Sequence, residues 1–239
     1  MNRCFLQSIL IGAFFAAAVI GEQQIRITPA KPTHYFYTPM PDVNKPYCLV
    51  TSLHEMSFSL PEHLQVQASL FDNIGRIDFG AKYGISRDLA VGSGVAYSLL
   101  HMGDGTHGIP SWAPPRFGVF LCYRFTETQN FEAALTPHMQ LFDHNSLGCD
   151  FSLMATPSNF WSVIWEVGTS FDFNDHDNNN RNQVGFYFNT DGGLRIHPPA
   201  IPFLSFDGGI DVQEFKVNRP NAATSVTIYA DAIFAMVIK

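Results

Sequence analysis

Beyond Pro61 the chain alternates between apolar and polar positions with a period of two. In "GRIDFGAKYGI", Ile77, Phe79, Ala81, Tyr83 and Ile85 share one parity, while Arg76, Asp78, Gly80, Lys82 and Gly84 share the other. Successive side chains of a strand point to opposite faces, so each such run predicts a strand with one apolar face and one small or polar face. The pattern recurs in segments near residues 63–72, 75–85, 89–100, 116–125, 131–142, 147–156, 160–172, 184–196, 203–213 and 224–238, which predicts ten strands. No helical period of useful length interrupts the series. The stretch "CLVTSLHEMSFSL" offers one further short strand, stopped by Pro61.

The connections alternate as well. Short ones fall at residues 86–88, 126–130, 157–159 and 197–202, and longer polar ones at 101–115, 173–183 and 214–223, with 143–146 a short exception. An antiparallel up-and-down barrel with short turns at one end and longer loops at the other has this rhythm.

Parity alone does not say which face meets water, because a soluble barrel hides its apolar face inside and a membrane barrel turns it outward. The other face decides. On a soluble barrel it would be dense in Lys, Glu and Thr. Here it is mostly Gly, Ala and Ser, carrying the spaced charges Arg76, Asp78, Lys82, Arg124, Glu132, Asp150, Glu166, Asp191, Arg195, Asp207, Asp211 and Asp231. Small residues among opposed charges suit a narrow lumen, where these charges would neutralise one another, since buried charges must be paired. Tyr83, Tyr97, Phe117, Tyr123, Phe131, Trp161, Phe171 and Phe206 sit on the apolar parity, many near strand ends, as interfacial aromatic girdles require.

Composition sharpens this picture. Charged residues make up 15% of the 239-residue chain, against about 25% in ordinary soluble domains, and 22 phenylalanines raise the aromatic content to 14%. A net charge of −7 with no basic run excludes sequence-independent nucleic-acid binding.

The hairpin "GAKYGISRDLAVGSGVAYSLL" resembles those of small Gram-negative outer-membrane β-barrel proteins. An aromatic-Gly pair ends one strand, a polar Asp-containing turn follows, and an apolar-Gly alternation opens the next. The resemblance is to the class and spans most of 61–239. It implies an all-β transmembrane barrel of about ten strands, twelve being the alternative, in contact with membrane lipid and lipopolysaccharide and delivered by the barrel-assembly machinery. Ten strands would leave the interior filled by side chains, and twelve would leave a narrow pore for small solutes. The chain departs from the class in ending Ile238-Lys239, its nearest aromatic being Phe234.

The first residues fit the same destination. Arg3, the apolar run from Cys4 to Ile20 and the small Val19 and Gly21 are the marks of a secretory signal peptide over 1–21. Residues 22–60, with Pro29, Pro32, Pro39, Pro41 and Pro46 around "HYFYT", read as an extended Pro-rich segment ahead of a barrel over 61–239. Cys48, Cys122 and Cys149 are an odd number and match no metal spacing, which leaves free thiols packed as small hydrophobes.

Motifs of catalysis are incomplete. "LHEMSF" lacks the second histidine of a zinc-protease helix, and "DHDNNNRNQVGF" has Asn180 and Phe186 where a calcium loop needs Gly and Glu. The long-loop rim collects His101, Asp104, His107, Asp143, His144, Asp175, His176 and Asp177. Asp with His could activate water, as in the omptin class of outer-membrane proteases, or bind a divalent metal. Solvated turn residues of this kind are also ordinary rim chemistry. The expectation is a non-catalytic outer-membrane barrel, porin-like, without cofactor or metal, in a structural or surface-interaction role or as a narrow channel. The alternatives are a hydrolase using the rim residues and a secreted soluble barrel binding an apolar ligand inside.

Overall fold

The computed structural model describes residues 27–30, 32, 35, 38–52, 55–69, 76–98, 116–142, 145–176, 182–216 and 225–238. Every regular element among them is a strand. In chain order these are β1 (Ile27–Pro29), β2 (Cys48–Thr51), β3 (Met56–Ser59), β4 (Leu64–Ser69), β5 (Arg76–Gly84), β6 (Leu89–Ser98), β7 (Arg116–Glu127), β8 (Phe131–Phe142), β9 (Ser146–Ser158), β10 (Trp161–His176), β11 (Asn182–Ile196), β12 (Leu204–Lys216) and β13 (Ser225–Ile238).

Each strand from β2 to β13 pairs antiparallel with the next, and β13 pairs back onto β2, closing a barrel of twelve strands. At the seam Phe234 to Val237 lie opposite Thr51 to Cys48. The other side of β13 is taken by β12 as far as Phe234, opposite Leu204, and below that point by β1, with Ile27 opposite Ile238. Closure leaves no long free edge to recruit another chain.

The two strands added to the ten read from the alternation are β2 and β3, so the barrel wall begins at Cys48 rather than near residue 61. Four residues each are too short to display a period. Pro61 does not end the wall; it opens the turn between β3 and β4, where Glu62 and His63 both take positive φ (63° and 62°) and Leu60 N–H donates to the Leu64 carbonyl. Positive φ at successive turn residues matches the twist of a tight hairpin.

Burial follows parity around the wall. On β10, Ser162, Ile164, Glu166 and Gly168 are buried while Val163, Trp165 and Phe171 are exposed. A single sheet layer has no core of its own, so the buried parity is the inside of the barrel. Phe79, Val95, Leu121, Leu135, Leu194, Ile210 and Ile228 stand outward and exposed. Tyr83, Tyr123, Phe131, Phe160, Phe206 and Phe234 ring the short-turn end, and Phe142, Phe171 and Phe173 the long-loop end.

Candidate functional site

The aperiodic segment before β2 lies inside the barrel. It enters at the short-turn end beside β13, turns at Thr38 and returns to Tyr47, whose carbonyl accepts from Ile238 N–H. Tyr35 N–H donates to the Thr38 carbonyl at 2.9 Å, which closes the turn. Tyr35 and Met40 are buried against Cys122, Ala134, Ile164 and Tyr229, with Phe120 and Met154 at the edge of the cluster. These bulky inward residues interrupt an otherwise small and polar parity, and they form the apolar seat of the segment.

Polar contacts hold the same segment on all sides. The Lys82 ammonium donates to the carbonyls of Met40 and Asp42, both at 2.9 Å. Arg124 donates to the Asp42 carboxylate at 2.8 Å, to Asp88 in the β5–β6 turn at 2.9 Å and to the Arg87 carbonyl at 2.7 Å. Arg195 clasps both oxygens of Asp207 at 2.8 and 2.7 Å and also donates to the Tyr35 carbonyl. Glu132 accepts from the Tyr35 hydroxyl at 2.5 Å, and Glu166 from Thr38 N–H at 2.9 Å. The only ladder pairing of the segment's described main chain is an isolated bridge at Pro39, and the wall charges supply hydrogen bonds to its buried groups.

The twelve charges read from the sequence are placed as follows. Lys82, Arg124, Glu132, Glu166, Asp191, Arg195, Asp207, Asp211 and Asp231 are buried inside the barrel, while Asp78 and Asp150 are half-buried. Arg76 is on β5 opposite Ser98, and its side chain lies outside the described residues. Three wall cations thus meet the inserted segment in addition to wall acids. Proline-rich residues 35–42 have no period, so nothing in their spacing announces this position.

Of the rim residues, His101, Asp104, His107, Asp143, His144 and Asp177 lie outside the described residues. Asp175 and His176 end β10, where their backbones face Gln183 and Asn182. The described structure therefore assembles no rim site. Among the described residues no group of three or more His, Cys, Asp or Glu is placed to hold a metal ion.

Burial, then the negative charge of Glu132 and the bond to it, push the Tyr35 hydroxyl well above its ordinary range, so it stays protonated as a donor. A raised folded-state value means the contribution is complete below the unfolded value of about 10 and is lost as pH climbs above it. Stability is expected to fall more steeply above pH of about 10 in the native chain than in Tyr35→Phe. That variant should cost about 1.5–3 kcal/mol at neutral pH, the range for hydrogen bonds to charged groups. Urea unfolding followed across pH 8 to 11 reads the difference, and parallel curves would remove the Tyr35–Glu132 bond from the account.

Above Thr38, toward the long loops, the lumen keeps a cavity of about 240 Å3 lined in part by Phe120, His138, Asp150, Glu166, Asn189 and Asp191. His138 Nδ1 lies 3.1 Å from Asp150. A Cβ at Gly168 would collide with Asn189 Oδ1 and Asp150 Oδ1, so glycine there lets the two side chains lie across β10.

No protein-family model and no curated protein matches the chain. Among solved structures, the NanC porin in a rhombohedral crystal form is similar to it with a TM-score of 0.48 and 10% sequence identity, over 80% of this chain and 98% of that one.

Proposed function

We propose that the chain is an outer-membrane β-barrel whose narrow lumen is held closed by its own N-terminal segment, and that it passes small solutes when the segment withdraws. The observation that carries this reading is the inverted polarity of the wall. Charged side chains are buried on the inner parity, and large apolar ones stand outside over the whole circumference, Ile228 being 85% exposed. A soluble protein rarely shows an apolar patch beyond a few hundred Å2, whereas lipid is the natural solvent for such a belt, and the aromatic rings at its two ends fit the headgroup levels. A secreted soluble barrel would need those side chains turned inward. Export by a signal peptide, handling by the barrel-assembly machinery and contact with lipopolysaccharide belong to this reading.

Twelve strands leave more room than side chains alone fill, and Tyr35 with residues 38–42 occupies part of it. The lumen is expected to conduct poorly in the full-length chain and far better once the segment is unseated by Tyr35→Ala with Asp42→Ala. Planar-bilayer recordings of the two proteins, each checked for heat-modifiable migration on gels, make the comparison. Equal conductance would show that the segment is not the closure, and a chain that stays dispersed without detergent would defeat the membrane reading itself.

A further inference from the structure

The inserted segment concentrates the wall cations on one side of its turn. Lys82, Arg124 and Arg195 all bond to residues 35–42 or to partners at the short-turn end. The cavity of about 240 Å3 lies on the other side and is lined by carboxylates. Strand register sets Glu166 opposite Asp191 and Asp191 opposite Asp211, so three acids from β10, β11 and β12 form one row. Asp150 reaches the same space across Gly168. Among the described residues, the only basic side chain lining this cavity is His138, beside Asp150.

Asp191 bonds to the Asp211 carboxyl beside it and still keeps one oxygen without a donor. It is only 4% exposed and lines the cavity, and its Oδ1 has no hydrogen-bond partner. Glu166 differs, since it accepts from Thr38 N–H and Ser152. A buried carboxylate oxygen normally finds a donor, and a row of like charges is relieved only by a proton or a cation. A proton shared between Asp191 and Asp211 relieves one charge of the row and leaves the others to a cation.

The shape of the space selects among cations. The acids are not gathered tightly enough to hold a bare metal ion, and at about 30 Å3 per water the cavity has room for about eight. Phe120 contributes an aromatic wall, its ring lying over Gly92 where a Cβ would collide with it. An aromatic face attracts a cation. Asn189, Gln140 and Thr136 add neutral oxygens that accept N–H bonds.

We propose that this chamber binds a small organic cation carrying a guanidinium or ammonium group, its charge against Asp191 and Glu166 and its flat or apolar side against Phe120. The proposal gives the channel reading a solute class, and rests on that reading only for passage across the membrane, not for binding.

The test uses the full-length chain folded in detergent micelles, with isothermal titration of methylguanidinium, of its neutral isostere methylurea, and of calcium chloride. Saturable one-to-one binding of methylguanidinium is expected, with none for the other two. Asp191→Asn, which keeps the shape and removes the charge, should weaken binding at least tenfold, and Phe120→Leu severalfold, both retaining heat-modifiable migration. Equal binding of methylurea, binding of calcium alone, or undiminished affinity in folded Asp191→Asn would each overturn the site. Binding by the full-length chain with no measurable conductance of the Tyr35→Ala, Asp42→Ala variant would count against the channel and leave the site standing, whereas conductance of that variant without binding would do the reverse.

Discussion

Replacing Ile228 by lysine is expected to cost about 2–4 kcal/mol of stability in a bilayer, the range for a cation on the lipid face at the midplane. Ile228 is 85% exposed and lies six positions before Phe234 on β13. At about 3.3 Å per residue and a tilt near 40°, that separation is about 15 Å along the membrane normal, roughly halfway up a belt about 25 Å tall. Val226, 67% exposed, stands closer to the long-loop edge, so Val226→Lys should cost about 1 kcal/mol or less by the same depth dependence. Urea titrations of folding into lipid vesicles, read by gel migration, give both values. In water the same changes would stay within about 0.5 kcal/mol, as exposed substitutions do. A flat response across the two depths would therefore remove the bilayer from the argument.

The second large effect is expected inside. Arg195 and Asp207 are both buried and joined through two hydrogen bonds. Taking away one member strands the other, which in buried pairs costs about 3–5 kcal/mol. Arg195→Leu should lose that much, and the double change Arg195→Leu with Asp207→Leu should recover most of it, because no isolated charge remains. Conductance should behave differently. Arg195 also donates to the Tyr35 carbonyl, and the double variant lacks that donor, so the segment stays loosened and the current stays raised in both proteins. A double variant as unstable as the single one would mean that stranded charge is not what the single change exposes.

How far this architecture can be read from the chain depends on the range of each interaction. β4 to β13 are legible because alternation is local, and every residue carries its share of the signal. β2 and β3 are four residues each, and their identity as wall strands comes from pairing with β13 and β4, contacts the sequence does not display. The polar parity is visible in the same way, but the partners of its charges are not, since the Arg195 bond to Tyr35 spans 160 positions. Phe120, Ile164 and Tyr229 are bulky residues on a face otherwise made largely of small and polar side chains. Their bulk was the one trace of a segment seated against them, and period-two reasoning has no means of saying what fills a lumen. The unpartnered oxygen of Asp191 is likewise a property of geometry alone.

The seam carries a consequence for assembly. The inserted segment is tethered at both ends to the last strand, through β1 before it enters and through β2 after it leaves. Both tethers lie at the short-turn end, so the segment can swing through that mouth as a loop without threading, but neither tether exists until β13 docks. Closing the wall and anchoring the segment then depend on the same strand. A protein shortened within β13 would lose its seam and its stopper together.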